Sequence, residues 1–450
     1  MNDYTPTIVT FMNEALLLEI HDAQKFDQLR KPIIKNLFPD HALPYDVETL
    51  LEALCDETSQ SFAVIEEPIA PQPEASTQRA APTVSESASP PQTGQEPPSP
   101  KSKFVWIDAP DLSSPAKPGV REAETSRFLN TLAHKICALS NESTSTPVLR
   151  TEFTDYYCAN AIGHTAGKTL KNQTMIRKPD VTGIKPFTNG NLYAEAPVDI
   201  TWLLVRLILE LKCGKLENFD FFKMMHVSIC NEAYLILAKQ INRRFVISLG
   251  LHQYHMYLGI ICRAGVIYIK CFSITSKVRL FLRILLGILF AEDKYLGYDP
   301  TMHINKDGTG TVRVRDRVLR IKREAFRCCT IRGRATTVLI CEMEDSTNPG
   351  SKITVALKDT WVIEGRRPDE GQLYRKANRK KVQNIPTLID AWVVEFDGLL
   401  DRTSNIPGFA EGFEVRIHRR FIFREYGESL AFFSSKIEFL YALIDALIGA

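Results

Sequence analysis

The chain has 450 residues, enough for two or three domains, and 44% of them are hydrophobic, as is normal for globular cores. Lysine and arginine number 55 and aspartate and glutamate 53, so the net charge of +2 gives no general argument for a nucleic-acid partner. The 10 cysteines form no CxxC pair, which argues against a zinc site or a disulfide framework. We therefore expect a reducing, intracellular setting, cytoplasmic or nuclear.

Neither the first residues nor the most apolar run predicts export or membrane insertion. The N-terminus lacks a basic region followed by an apolar run, so we expect no secretory signal. Residues 278–291 are too few to span a bilayer, and Arg279 and Arg283 interrupt them. We expect a buried amphipathic helix there and no membrane partner.

The first part of the chain changes in composition near residue 63. Residues 1–62 are predicted to be helical, because apolar positions such as Leu50, Leu51 and Leu54 have near-helical spacing. Residues 63–103 are dominated by Pro, Ser, Gln, Glu, Thr and Ala. Such a segment buries too little apolar surface to offset its ordering entropy, so we predict a disordered linker.

Residues 104–305 are predicted to form an α/β sandwich around a mixed sheet, because helical and strand patterns alternate there. The apolar patterns predict helices at 122–139, 219–239 and 278–291, and strands at 200–211, 245–251, 256–261 and 266–272.

Residues 306–450 are richer in strands. The patterns predict strands at 313–320, 336–343, 354–358, 391–395 and 414–423, and helices at 370–381 and 434–448. Strands, one helix, two strands and a further helix follow one another in the order of a protein-kinase small lobe that leads into a large lobe.

The predicted sandwich contains a group of two acidic residues and one basic residue that are typical of a metal-dependent nuclease site. Asp180 follows Pro179, while Glu210 and Lys212 are two apart in a strand and so share a face. This is the PD-(D/E)xK arrangement, in which two carboxylates hold a divalent metal and a lysine activates water or steadies charge on a phosphate. Glu124 on the preceding helix is a further carboxylate. The plainer alternative is an ion pair between Glu210 and Lys212.

Two other patterns predict no site. Residues 163–169 are similar to a phosphate-binding P-loop, but Ile162 stands where that motif needs glycine and no apolar strand precedes it. His252 and His255 lie near a strand end without an acidic partner at useful spacing, so we interpret them as structural histidines.

A lysine in a strand provides the last candidate site. The sequence Val-Ala-Leu-Lys ends at Lys358, a placement typical of the lysine that contacts the α- and β-phosphates of a nucleotide and pairs with a helix glutamate. Gly333 is predicted to form the turn between the first two strands, over the phosphates. A single glycine cradles phosphates less well than a GxGxxG loop.

Several short segments occur in a characteristic order. They are Arg177-Lys178-Pro179-Asp180, Glu210-Leu211-Lys212, Arg243-Arg244-Phe245-Val246, Gly297-Tyr298-Asp299-Pro300, Gly333-Arg334-Ala335-Thr336, Leu357-Lys358-Asp359-Thr360-Trp361, and Arg419-Arg420 ahead of a hinge at Glu425-Tyr426-Gly427. Together they resemble the fungal-type protein kinase family, from residue 103 to the C-terminus.

The resemblance implies an α+β multidomain fold, in which the PD-(D/E)xK-like sandwich precedes an atypical protein-kinase small lobe and the start of a large lobe. It implies ATP and Mg²⁺ as cofactors and places Gly333, Lys358, Glu370 and Glu425 at the nucleotide. The family pattern has a second helix glutamate where this chain has Gln372. If residue 372 occupies the pairing position, the ion pair to Lys358 is lost, and only Glu370 could substitute from one side.

The resemblance also places the catalytic loop beyond the helix at 434–448, outside these 450 residues. The leading hypothesis is therefore a truncated or degenerate kinase-like protein, a fragment or pseudokinase that does not transfer phosphate alone. A protein partner is expected at the exposed small-lobe surface, which includes apolar residues of the last helix. These are Phe432, Phe433, Phe439, Leu440 and Leu443.

Two alternatives remain open. One is a metal-dependent nuclease in which Asp180 and Glu210 bind the metal and Lys212 is catalytic, the only case that brings a nucleic-acid partner. The other is a non-enzymatic interaction module that uses the N-terminal region and linker for docking.

Overall fold

The computed structural model describes most of the chain from residue 32 onward. It covers residues 32–55, 64–68, 102–113, 117, 119–139, 147–155, 179–186, 202–214, 220–305, 307–315, 317–345, 348, 350–409, 413–427 and 432–448. Most of the predicted linker and the P-loop-like residues 163–169 lie outside these ranges, as does the predicted helix before residue 32.

The first unit, called the α/β unit below, follows a helical segment at residues 32–37. In chain order it contains α1 (Val47–Cys55), β1 (Val64–Pro68), β2 (Ser102–Trp106), α2 (Val120–Ala138), β3 (Glu152–Thr154), β4 (Val181–Ile184), β5 (Val205–Lys212), α3 (Asp220–Lys239), β6 (Phe245–His252), β7 (His255–Cys262), β8 (Val266–Ser273) and α4 (Val278–Phe290). The helices and strands predicted between residues 122 and 291 are confirmed, with ends shifted by a few residues.

The main sheet of this unit has the order β3-β4-β5-β6-β7-β8. β5 and β6 are parallel, as the crossover through α3 requires, and the other neighbours are antiparallel. Alternation along β5 sends Leu207 and Leu209 into a core shared with α1, α2 and α4, whereas Ile208 faces the core beneath α3. The result is a mixed sheet with helices on both faces.

The second unit, called the β-rich unit below, is built mainly of strands. It contains β9 (Met302–Ile304), β10 (Gly310–Val314), β11 (Arg317–Arg327), β12 (Thr337–Glu344), β13 (Lys352–Ile363), α5 (Glu370–Arg379), β14 (Leu388–Val393), β15 (Glu395–Phe396), β16 (Leu399–Leu400), β17 (Arg416–Phe423) and α6 (Lys436–Ile448). Its main sheet has the order β14-β17-β13-β12-β11-β10-β9.

The two faces of this sheet have different partners. Leu357 and Ile422 face one core, while Ala356 and Phe423 face another that includes Tyr374 of α5. Because side chains alternate along a strand, Lys358 points to the face that α5 covers, and its neighbour Asp359 points to the reverse face.

Two predictions were wrong in detail. The single strand expected at residues 313–320 is a hairpin of β10 and β11, with Arg315 at φ 54° in the turn and Val314 paired with Arg317. In addition, β1 lies inside the segment predicted as linker and pairs with β2. β1 begins with Val64 and Ile65, whose β-branched side chains favour a strand.

Within the described ranges, the helices are each too short or too polar to cross a membrane.

Candidate functional site

Lys358 and Glu370 meet between β13 and α5. The Lys358 ammonium donates a hydrogen bond to Glu370 Oε1. Their side chains are 20% and 25% exposed, so the pair is partly shielded and still open to a ligand. Lys358 Nζ also lies 5.7 Å from the centre of the Phe421 ring on the neighbouring strand β17. The pair therefore places a fixed ammonium beside an aromatic ring, at the start of α5.

The start of α5 is held in place by its capping residue. Asp369 is the N-cap and accepts a hydrogen bond from the Gln372 backbone N at 2.9 Å. Arg419 on β17 also donates to the Asp369 carboxylate. Burial raises the pKa of Asp369, but Arg419 and the backbone N–H outweigh this and leave the pKa below its usual value. The helix thus presents Glu370, rather than Gln372, to Lys358.

Gly333 lies in the connection between β11 and β12, where its φ of +132° suits a glycine. This connection packs on the α/β unit. The Gly333 N–H donates to Arg263 O, while Arg263 Nη1 donates to Thr330 O at 2.8 Å. Ile331 is buried in the core beneath α3. The structure therefore joins Lys358 to Glu370 and places the Gly333 turn against the preceding unit.

Glu425 follows β17, where a hinge was expected. Its Oε2 accepts a hydrogen bond from the Thr387 backbone N at 2.6 Å, and its Oε1 one from Thr387 Oγ1 at 3.2 Å. The carboxylate fixes the start of β14 and, among the described residues, it is bound there rather than to Lys358.

The structure also brings together Asp180, Glu210 and Lys212. Lys212 Nζ lies 3.0 Å from Glu210 Oε2 and 4.0 Å from Asp180 Oδ2. Asp180 Oδ2 accepts the Leu211 backbone N–H at 2.7 Å, which ties the residue before β4 to the end of β5. Glu124 forms its ion pair with Arg121 at 2.7 Å instead.

The electrostatics of this carboxylate pair suit a cation. Burial and the nearby charge of Glu210 raise the pKa of Asp180 to about 7. Burial lowers the pKa of Lys212, but the negative charges of Glu210 and Asp180 outweigh burial, so the pKa of Lys212 is raised overall. Among the described residues no group of three His, Cys, Asp or Glu side chains is arranged to hold a metal. The pair would therefore need ligand or water oxygens to complete a metal's coordination.

His252 and His255 are paired beside the turn that connects β6 and β7. The His252 ring bonds to Gly214 O at 3.0 Å. This contact supports the interpretation of His252 as a structural histidine.

A buried charge cluster, which the sequence analysis did not identify, lies behind Lys358. Arg420 on β17 is fully buried and donates from Nε to Asp359 Oδ2 at 2.6 Å. Its other nitrogens donate to Thr301 Oγ1 at 2.6 Å and to Asp299. The signal in the sequence was that Asp299, Asp359 and Arg420 stand in three of the characteristic segments.

The cluster continues through His418. Its Nε2 lies 2.7 Å from Asp359 Oδ1, and its Nδ1 lies 2.9 Å from Asp401 Oδ2. Asp401 in turn accepts from Arg244 Nε at 2.9 Å. The His418 ring stacks on Trp361 with centroids 4.6 Å apart. Arg244 and Asp299 belong to the α/β unit, so the cluster crosses from one unit to the other and back.

The last helix, α6, has an exposed apolar surface. Leu440 is 56% exposed and Leu447 76%, and Phe432 just before the helix is 77% exposed. The expected exposure of this region is confirmed for Phe432, Phe433, Leu440 and Leu443.

Comparison with known proteins gives one family. Residues 187–408 match the family model described as fungal protein kinase. The match runs through Glu210, Lys212, Gly333, Lys358 and Glu370 and so spans parts of both units. No curated protein and no solved structure matches the chain.

Proposed function

Since the chain belongs to the fungal protein kinase family, whose model matches residues 187–408, we propose that the β-rich unit is a nucleotide-binding small lobe. The observation that carries the proposal is the ion pair between Lys358 and Glu370. In protein kinases a strand lysine that pairs with a helix glutamate contacts the nucleotide phosphates. Glu370 holds the ammonium in one position, so little side-chain entropy is lost when phosphates bind.

The face around Lys358 suits a nucleotide base. Phe326, Val338 and Lys358 stand opposite one another on adjacent strands, so their side chains share a face. Phe326 is 53% exposed although it is aromatic. A base that stacks on Phe326 and Val338 would cover this apolar surface, while its phosphates reach Lys358.

ATP with Mg²⁺ is the cofactor that the family implies. The cationic Lys358 fits the phosphates, whereas the described residues contain no metal-binding group of three. Phosphate oxygens and water would therefore supply most of the magnesium ligands, because this ion usually keeps several of its waters.

Nucleotide binding without phosphoryl transfer is the expected behaviour of a polypeptide with this sequence. Residues 1–450 contain neither a His-Arg-Asp nor an Asp-Phe-Gly tripeptide, which supply the catalytic base and the magnesium ligand of protein kinases. A phosphorylation assay on the 450-residue polypeptide should show no transfer of phosphate to a substrate. Phosphate transfer above the level of a heat-inactivated sample would refute the expected lack of kinase activity.

Replacing Lys358 tests the nucleotide site. We expect Lys358→Met to weaken binding of a fluorescent ATP analogue with magnesium by about tenfold or more, because a charge-assisted hydrogen bond to phosphate is lost. Titration by fluorescence anisotropy measures the change. Lys352→Met is the matched control, since Lys352 lies on the same strand and face but pairs with Glu342. Equal affinities of Lys358→Met and the unaltered protein would contradict the proposal.

The second candidate is a metal-dependent nuclease in the α/β unit. The proximity of Asp180, Glu210 and Lys212 favours it, together with the connection of β4 and β5 that brings them to one place. A divalent cation at the two carboxylates would relieve their repulsion, and Lys212 is placed to orient water or to steady charge on a phosphate.

Metal binding and cleavage test this candidate separately. We expect Mn²⁺ affinity, measured by calorimetry, to increase as pH rises through about 7, because the proton that Asp180 holds with a pKa of about 7 competes with the metal. Cleavage of DNA or RNA with Mg²⁺ or Mn²⁺ should disappear in Asp180→Ala and Lys212→Ala and persist in Glu124→Gln. Cleavage that survives the first two changes would rule the candidate out.

A further inference from the structure

We propose that the α/β unit positions the nucleotide site: it holds β13 and β17 from the face opposite Lys358 and thereby fixes both Lys358 and Glu370. The contact that does so is the buried charge cluster Arg244–Asp401–His418–Asp359–Arg420–Asp299. The inference rests on the nucleotide site proposed above and gives the α/β unit a role in it. These residues are positioning residues, because they act on Lys358 through the backbone of β13 and β17.

Both ends of the cluster are anchored in the α/β unit. Arg244 directly precedes β6, and its backbone N donates to Gly297 O at 2.8 Å. Asp299 lies two residues after Gly297, and its backbone N donates to Asn242 O at 2.8 Å. The two anchoring segments are thus bound to each other, so the α/β unit presents Arg244 and Asp299 as a rigid pair.

The middle of the cluster lies in the β-rich unit and is buried. Asp359, Asp401, His418 and Arg420 are each at most 6% exposed. Asp359 uses both oxygens, one for His418 and one for Arg420. With protonated His418, three cations alternate with three anions. In a low-dielectric interior, moving one member away leaves a charge uncompensated, so such a cluster resists displacement.

The cluster is connected to the nucleotide site by direct chain neighbours. Asp359 follows Lys358, and Arg420 is paired with Asp359 across the two strands. The residue before Arg420 is Arg419, which binds the Asp369 cap of α5 on the other face of the sheet. Glu370 follows that cap. Fixing Asp359 and Arg420 therefore fixes the backbone from which both members of the ion pair extend.

A second contact between the units holds the neighbouring strands. Arg327 at the end of β11 donates from Nη1 to Ala238 O and Lys239 O, at 2.6 and 2.7 Å, at the C-terminus of α3. Ile331 in the following connection is buried beneath the same helix. The sheet is thus held by the α/β unit both behind Lys358 and at the β11–β12 connection.

Asp401→Asn tests the proposal, because it removes one charge with almost no change in volume. We expect the affinity for the fluorescent ATP analogue to fall about two- to thirtyfold, the range typical of coupling through packed networks. Binding is measured at a temperature where circular dichroism shows every variant folded. Arg244→Lys, which retains the charge, should lose less affinity than Arg244→Gln.

Leu282→Ala is the control for a merely structural role. Leu282 is fully buried in α4, in the core of the α/β unit, and contributes no side-chain hydrogen bond to the charge cluster, so we expect its truncation to lower the melting temperature through lost packing alone. Its nucleotide affinity should stay within about twofold of the unaltered protein. If Leu282→Ala loses as much affinity as Asp401→Asn, general destabilisation explains both and the proposal is overturned.

Hydrogen exchange separates this inference from nucleotide binding itself. Amides of residues 356–360 should exchange faster in Asp401→Asn than in the unaltered protein, without nucleotide present. If the unaltered protein binds no nucleotide but this exchange increases, the proposed nucleotide site is wrong and the positioning of Lys358 stands. Unchanged exchange, or unchanged affinity in a protein that does bind nucleotide, overturns the positioning role.

Discussion

At the scale of single residues, the charge balance of the cluster depends on the protonation of His418. Both ring nitrogens face carboxylate oxygens, at 2.7 Å for Asp359 and 2.9 Å for Asp401. Ionised carboxylates only accept hydrogen bonds, so both nitrogens must donate and the ring carries a proton on each. Burial lowers the pKa of His418, but Asp359 and Asp401 raise it to about 9.

This pKa predicts how stability depends on pH. The pKa of His418 is about 9 in the folded protein and about 6.5 in the unfolded chain, so the imidazolium stabilises the fold fully below pH 6.5. The stabilisation, on the order of 3 kcal/mol, is lost as pH rises from 6.5 to 9. Urea unfolding at several pH values measures it.

The control for this prediction is His418→Gln, which cannot be charged. Its free energy of unfolding should be lower than that of the unaltered protein at pH 6.5 and should change less between pH 6.5 and 9. Because Arg420 and Arg244 also face the two carboxylates, they remain as constant positive charges in both proteins. The same pH slope in both proteins would exclude His418 as the source.

The carboxylates of the cluster act in the opposite direction. Burial raises the pKa of Asp401, but Arg244 and His418 outweigh burial and lower it overall. A lowered pKa gives stability that is present above the unfolded value, near 4, and is lost on acidification. The cluster therefore stabilises the fold most between about pH 4, below which the carboxylates lose their charge, and about pH 6.5, above which His418 begins to lose its proton.

At the scale of elements, α5 depends on its first residues. The sequence predicted a helix at 370–381, and the structure begins it at Glu370 with Asp369 as the cap. We expect Asp369→Ala to lower the free energy of unfolding by about 1–2 kcal/mol, because the cap hydrogen bond to Gln372 N is lost. Chemical denaturation measures this change.

The conservative change at this cap separates its two roles. Asp369→Asn keeps a side-chain oxygen for the Gln372 N–H but no longer offers Arg419 a charge. It should retain most of the cap's stabilisation and still weaken nucleotide binding, since Arg419 helps to place Glu370. Identical nucleotide affinity in Asp369→Asn would show that the Arg419 contact has no such role.

The hairpin of β10 and β11 shows why one strand prediction was wrong. Valines at 312, 314 and 318 continue an alternating pattern through the turn, so the pattern by itself favours a single strand. The turn has no glycine or proline, and Arg315 adopts φ 54° there. Strand pairing with β9 and β12 stabilises this conformation, and pairing partners are not visible in a local pattern.

At the scale of the whole molecule, the two units share buried charges and should unfold together. Differential scanning calorimetry of the full chain should give a single transition for both units, because separating them would leave Arg244, Asp299 and their partners unpaired in apolar surroundings. Two well-separated transitions would show that the units are stable independently.

A fragment of residues 302–450 provides the second test at this scale. It lacks Arg244 and Asp299 and exposes the reverse face of β13 and β17. We expect no cooperative thermal transition by circular dichroism, because the buried Asp401 loses Arg244 and the buried Arg420 loses Asp299. A sharp transition close to that of the full chain would contradict the shared cluster.

Apolar periodicity is a local property of the chain, so the sequence predicts the order of helices and strands from β5 to α4 correctly. It also singled out Lys358, Glu210 and Lys212 from local motifs. The pairing of Glu370 with Lys358 and the position of Gly333 against the α/β unit become visible only in the folded protein. The same holds for the buried charge cluster, whose members are far apart in the chain. Such contacts depend on how elements pack, since a side chain's local pattern does not encode its distant partner.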